Sequence, residues 1–296
     1  MQVTAAMVKE LRERSGAAMM DCKKALVETD GDIEAALDVM RKSGAAKAAK
    51  KAGRIAADGA VVIKVDGDRA VIVEINSETD FVAKDENFVS FAGNVAATIL
   101  GCEAASPDEL ESQALANSSG SVESECLQLS AKVGEKISIR RFERLQSSSV
   151  LVDYLHGNRI GVLVELEGGD RALGRDVAMH IAASSPVCVS DEQVPAELIS
   201  KEKEIQIAQA QQSGKSPEIA EKMVAGRIRK FIGEITLTGQ AFVKDPDKTV
   251  GKLLKDNNAV VKSFIRYEVG AGIEKKEDNF AEEVMAQARS ADGAGS

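Results

Sequence analysis

Ala70-Val71-Ile72-Val73-Glu74-Ile75-Asn76, followed directly after Ser77 by Glu78-Thr79-Asp80-Phe81-Val82-Ala83-Lys84, is the stretch that decides the fold. The first run is rich in β-branched residues and reads as a strand. Beyond the second run, Phe88, Phe91, Ala92, Val95 and Ile99 recur at the spacing of an amphipathic helix. Asp80 and Phe81 therefore sit at a strand-to-helix junction, a surface feature that rigid elements hold in place on both sides. The chain has eight Phe, two Tyr and no Trp, so an aromatic at such a tip stands out. An acid beside an aromatic there suits insertion into another protein better than chemistry on a small molecule. The competing reading folds Phe81 back as a hydrophobic staple on the following helix.

Working outward, Ala60 to Val65 is a strand that Asp66-Gly67-Asp68 turns back into Ala70 to Ile75, a hairpin by pattern. A weak repeat of this unit follows. Val150 to Leu155, the turn His156-Gly157-Asn158 and Ile160 to Leu166 form a second hairpin, and Val162-Leu163-Val164-Glu165-Leu166 resembles Val71-Ile72-Val73-Glu74-Ile75. Each hairpin precedes a helix, the second being Asp176 to Ala182. The second junction, Glu167-Gly168-Gly169-Asp170, lacks the acid-aromatic pair, so the tip is an addition to the scaffold. Hairpins joined by helices predict an α+β fold with antiparallel sheets.

Residues 1–44 predict three short helices. Thr4 caps the first (Met7, Val8, Leu11), which Gly16 ends. The second runs from about Asp21 through Leu26. Thr29-Asp30-Gly31-Asp32 turns into the third, with Ile33, Ala36, Leu37 and Met40, which Ser43-Gly44 closes. Residues 45–54, rich in Ala and Lys, read as a helical or flexible linker. Residues 102–125 are Ser- and acid-rich and read as surface, with a short strand at Lys136 to Arg140. Glu197 to Gln212 and Glu218 to Ile232, broken at Ser213-Gly214-Lys215-Ser216-Pro217, make an antiparallel helical pair. It reads either as a solvated surface hairpin or as a dimerisation or docking arm. Glu234 to Leu237 and Ser263 to Val269 read as strands of the second sheet, with a short helix at Thr249 to Leu254. Glu274 to Ala288, with Phe280, Val284 and Met285, reads as a terminal helix before a disordered tail.

Composition narrows function. The 296 residues suggest about two domains. The net charge of −9 suits neither a nucleic acid, whose affinity comes from Lys and Arg against phosphates, nor an anionic membrane surface. No apolar run approaches the roughly 20 residues of a membrane span, and no signal peptide is visible. Cys22, Cys102, Cys126 and Cys188 lack C-x-x-C spacing and read as reduced thiols of a cytoplasmic protein. There is no P-loop and no G-x-G-x-x-G, and the only histidines, His156 and His180, are not spaced with any cysteine as metal ligands. His180 reads as a packed or half-exposed helix residue. His156 reads as a polar turn residue or a contact residue. Cys22, near a helix start, reads as a core thiol, with an activated thiol as the alternative. No catalytic residue, cofactor site or metal site is nominated, and the expectation is a binding protein rather than an enzyme.

Several segments resemble one family, bacterial elongation factor Ts. They are Val8-Lys9-Glu10-Leu11-Arg12-Glu13-Arg14, Met19-Met20-Asp21-Cys22-Lys23-Lys24-Ala25-Leu26, Thr79-Asp80-Phe81-Val82-Ala83-Lys84, His156-Gly157 and Arg159-Ile160-Gly161-Val162-Leu163-Val164. The resemblance covers nearly the whole chain; the stretch near 103–125 and the tail after Arg289 match no usable pattern. It implies a three-helix ubiquitin-associated-like module with its linker at 1–54 and a core of two related halves, each a small antiparallel sheet covered by helices. The halves are 55–145 and, together, 146–195 and 233–273. The inserted helical arm is 196–232, and a C-terminal helix and tail occupy 274–296. It further implies guanine-nucleotide exchange on elongation factor Tu, in its GDP-bound and nucleotide-free forms. Thr79, Asp80, Phe81 and Val82 are then the segment that displaces magnesium from the partner's nucleotide domain. Arg12, Met19 and Met20 dock on a nearby helix of that domain, and the His156 turn faces another domain. Asp80 is expected to cap the helix, pair with the partner or perturb the ion's water shell. The arm is a candidate homodimer contact. Two other readings remain: a nucleic-acid or ribosome-binding protein using Lys47, Lys50, Lys51 and Arg54, and an adaptor whose residues 1–54 suffice for binding.

Overall fold

The computed structural model describes residues 3–15, 17, 19–51, 53–212 and 217–274. The chain opens with three helices, α1 (Ala5–Ser15), α2 (Met19–Glu28) and α3 (Ile33–Lys51). Strands β1 (Asp58–Asp66) and β2 (Arg69–Ser77) follow, then α4 (Glu86–Gly101), α5 (Pro107–Glu111), α6 (Val122–Val133) and β3 (Ser138–Gln146). Next come β4 (Val150–His156), β5 (Ile160–Glu167), α7 (Arg171–Ser184), α8 (Ala196–Gln212) and α9 (Pro217–Ile235). A small pair, β6 (Ala241–Phe242) and β7 (Asp245–Thr249), precedes α10 (Val250–Asp256) and β8 (Val260–Glu268). The architecture is α+β with small antiparallel sheets: β1-β2-β3, β4-β5-β8 and the β6-β7 pair.

Alternation along the two central strands sorts their side chains between two layers. Val71, Val73 and Ile75 of β2 pack with Phe88, Phe91, Val95 and Ile99 of α4. Val162, Val164 and Leu166 of β5 pack with Val177, Ala178 and Ile181 of α7. The opposite faces meet each other: Ile72 packs with Tyr267, and Ala70 with Leu151 and Leu163. The molecule is thus layered helix, sheet, sheet, helix, and each fully buried large side chain contributes about 1.5–3 kcal/mol. At Gly161 the other sheet leaves no room for a side chain, since a Cβ there would lie 2.4 Å from Val61 Cγ1.

The internal repeat reaches further than the matching valines. Glu74 of β2 and Glu165 of β5 hold equivalent places, and each sheet has a bulge at that point of its register, beside Glu74/Ile75 and Glu165/Leu166. The extra residues in the neighbouring strands are Arg140 and Lys262. Glu74 takes hydrogen bonds from Arg140 and Arg141, and Glu165 from Ser147 and Ser263.

Four expectations need correction. Ser43-Gly44 does not end α3, which continues to Lys51 because the residues after Gly44, Ala and Lys throughout, are strong helix formers; Gly44 itself packs close to α6, where a Cβ would lie 3.3 Å from the Ala131 Cβ. Residues 102–125 are not merely surface: Leu110, Leu115 and Val122 are buried in the first core. Two serines of this stretch cap helices, Ser106 receiving the Glu109 N–H and Ser121 the Ser124 N–H. Glu234 to Leu237 is not a strand, because α9 runs to Ile235 and Thr236 donates its hydroxyl back to Ile232 O. The second helix begins at Met19 rather than Asp21. The expected terminal helix and tail beyond Glu274, Gly16, and Ser213 to Ser216 of the interhelical break lie outside the described residues.

Candidate functional site

β2 delivers the chain into the tip. After Ser77 come Glu78 to Phe81, a single 3-10 turn at Val82–Lys84, and Asp85, which caps α4 by accepting the Asn87 N–H at 2.9 Å. Ala83 is buried and seats the turn on the core, while Phe81 is 81% exposed. The staple reading of Phe81 is therefore overturned: its backbone has helical angles, but its side chain stands in solvent.

The tip is gripped from a distance in sequence. Glu135, just past the left-handed Gly134 that ends α6, accepts the Thr79 N–H at 2.9 Å and the Thr79 hydroxyl at 2.7 Å. In return, Glu78 accepts the Lys136 N–H at 2.6 Å and pairs with Arg54 at 3.3 Å. Ser77 donates its hydroxyl to Thr79 O at 2.8 Å. Thr79 is thus turned inward, and Val82 is half-buried. Asp80 pairs within the chain: the Lys84 ammonium lies 2.6 Å from its carboxylate, and that hydrogen bond holds the carboxyl below its ordinary value of 3.8. Asp80 does not cap α4; Asp85 does.

The His156 turn lies at the same end of the first sheet. Asn158 O accepts the Val61 N–H at 2.8 Å, and Arg159 pairs with Asp58 at 3.1 Å, where Asp58 is registered opposite Ser77. His156 itself is exposed, its ring stacked beside Tyr154, with Tyr154 Oη 3.2 Å from Nδ1. Arg12, Met19 and Met20 belong to a different cluster. Val8, Leu11, Cys22, Ala25, Leu26 and Ala36 form its core, so Cys22 is a packed core thiol. Arg12 is exposed, and Met19 and Met20, at the start of α2, are 55% and 62% exposed. This cluster meets the rest through α3 against α6, with Gly44 beside Ala131 in the last turn of α6, just before Glu135.

His180 is fully buried and neutral: its Nδ1 accepts the Val243 N–H at 3.2 Å, and Nε2 faces Gln240 Oε1 at 3.0 Å. Among the described residues no group of three or more His, Cys, Asp or Glu is arranged to hold a metal ion. No helix among them is long and apolar enough to cross a membrane. Arg54, considered above for a nucleic acid, pairs with Glu78 at 3.3 Å and keeps about half of its side chain exposed. Glu135, Glu78 and Lys84 were not nominated from sequence. Lys84 was legible four residues after Asp80, but the Glu135 contact spans 56 positions.

A family model described as elongation factor TS matches residues 78–271. A protein named elongation factor Ts from Thioalkalivibrio sulfidiphilus is 62% identical over 295 residues, covering 98% of this chain and all of the relative. Proteins of the same name from Methylococcus capsulatus and Alkalilimnicola ehrlichii are 60% and 59% identical, each alignment covering 98% of this chain and 99% of the relative. A match of this identity along nearly the whole length goes beyond shared fold: the chain belongs to the bacterial elongation factor Ts family.

Proposed function

We propose that this chain is the guanine-nucleotide exchange factor of translation elongation, acting on elongation factor Tu in the cytoplasm, and not an enzyme. It binds the GDP form and inserts the Asp80-Phe81 tip into the nucleotide domain. Magnesium and GDP leave, and the factor holds the nucleotide-free form until GTP binds. The observation that carries this reading is Phe81, 81% exposed on a loop anchored to the α6–β3 turn, in a member of this family.

The mechanism is one of linkage. A G protein holds GDP through phosphate contacts and a magnesium ion. An exchange factor need not touch GDP; it must bind the nucleotide-free form more tightly, and the coupling is reciprocal. A thousandfold faster release needs about 4 kcal/mol of differential binding. Burying Phe81 could supply about 1.5–3 kcal/mol of that, a large share but not all, and docking surfaces must anchor it. We assign those to Arg12, Met19 and Met20 on the helical unit at 1–54, where exposed methionines adapt to a partner's apolar groove, and to the His156 turn. In this reading 55–145, and 146–195 with 233–273, are the two core halves, and 196–232 is an arm. Arg227 bridges α9 to Gln206 and Gln209 of α8, with Ile205, Ile207 and Ile219 exposed along it.

The test is release of fluorescent GDP from elongation factor Tu with catalytic amounts of this chain and of F81A. Acceleration by the parent and little by the variant is the expected result. No acceleration by the parent would end the exchange reading, and full binding by residues 1–54 alone would favour the adaptor.

A further inference from the structure

Resting on that exchange reading, we propose that Glu135 is a positioning residue, which fixes the direction of the Asp80-Phe81 tip through Thr79. One carboxylate takes both donors of Thr79, the N–H on Oε2 and the hydroxyl on Oε1. That fixes the backbone and the side chain of the residue immediately before the tip. The Thr79 hydroxyl then lies 3.5 Å from the Val82 N–H, the first residue of the 3-10 turn beyond the tip. The reciprocal contact, Lys136 N–H to Glu78, closes a second tie between the same two segments. Glu135 is itself held, since Ser130 of α6 donates its hydroxyl to Glu135 O at 2.5 Å. The tip is thus aimed by the α6–β3 turn, 56 residues away in sequence.

A binding segment held in one orientation loses less freedom when it docks, and a wedge must arrive in the right direction to act. Thr79 points into the molecule toward Glu135, so its role is carried through that carboxylate. Removing Glu135 frees the tip without altering Phe81, Met19, Met20 or the His156 turn. Anchoring to the partner persists while the coupling between binding and GDP release falls.

The experiment measures, with the full-length chain, fluorescent GDP release from elongation factor Tu as a function of factor concentration. It compares the parent, E135A, E135Q, T79V and the E135A/T79V double variant, each with its melting curve. The maximal rate for E135A should fall about tenfold or more, as loss of hydrogen bonds to a charged acceptor implies, while the half-saturating concentration changes much less. E135Q, which keeps shape and one acceptor oxygen, should recover part of the rate. The double variant should be no slower than E135A alone, because the hydroxyl contact that T79V removes is already lost with Glu135. If E135A melts below the assay temperature, E135Q against T79V carries the comparison. A parent without activity would refute the exchange reading itself. With an active parent, three results would overturn the positioning role: an unchanged maximal rate in E135A, equal losses in rate and half-saturation, or additive losses in the double variant.

Discussion

The backbone N–H of Gly270 donates to Glu74 Oε1 at 2.8 Å, joining residues 196 positions apart across the layer where the two sheets meet. Glu74 is fully buried, and Arg140 and Arg141 reach it at 2.9 and 2.7 Å. Arg141 also lies over the Tyr267 ring, 4.2 Å from its centre, and Tyr267 Oη donates to Glu143 at 3.0 Å. Burial pushes the Glu74 carboxyl up, but the Gly270 N–H and the two guanidiniums outweigh it and hold the group below its ordinary 4.5.

Glu74→Ala should therefore destabilise the fold by about 3 kcal/mol, because it leaves two guanidiniums and an N–H without their shared acceptor. The figure sits at the low end for a buried pair because both arginines keep some solvent access. Urea denaturation of parent and variant checks it. Glu74→Gln, which keeps an acceptor for Gly270, should lose less. A change within about 0.5 kcal/mol for the alanine variant would show that the network does not hold the sheets together.

Phe81→Ala should leave the melting curve unchanged within about 0.5 kcal/mol, as for an exposed side chain away from structural features. A folded-back staple would instead lose apolar contact with α4 and lower the melting temperature. Thermal melting alone thus decides whether this side chain stabilises the helix.

The hairpins, α4 and α7 were legible because their apolar residues follow one period each. The face-to-face packing of the sheets was signalled by Val71 to Ile75, where apolar residues occupy both parities, though Glu74 disguised it. α6 was not legible: its buried positions Val122 and Leu129 are sparse, and its serines suggest a loop until Ser121 is seen to cap it. Phe81 was recognised as a tip residue, but its exposure was not decidable, because staple and wedge have the same local pattern. Glu135 carried no signal at all, since its meaning arises only when the α6–β3 turn folds against Thr79.

Gly161→Ala should destabilise by about 1–3 kcal/mol, the cost of forcing extra volume into a packed interior. The new methyl would meet Val61, Ile63 and Ile72, and β-branched Val61 has no long flexible end to move aside. Denaturant unfolding checks this. A Gly161→Ala, Val61→Ala double variant should recover part of the loss, because it removes the nearest clashing methyl.

His180 should make stability fall on the acid side of neutrality. Burial is the larger influence on its ring and pushes its pKa below the ordinary 6.5, while the Gln240 contact opposes this. The folded state thus keeps a neutral ring whose Nδ1 must stay free of a proton to accept from Val243. In the unfolded chain the same ring takes a proton as pH falls through 6.5. The sign follows: this contribution is complete above that value and is lost as pH falls from there toward the depressed folded value. Between about pH 7.5 and about pH 5.5 the loss attributable to this one group reaches at most about 1.4 kcal/mol. The chain has two histidines, so both ring resonances can be followed by NMR across this range. The His180 signal should hold its neutral position below pH 6.5, with urea stability falling over the same interval. A His180 signal titrating at or above 6.5 would contradict the buried neutral ring and remove the predicted slope.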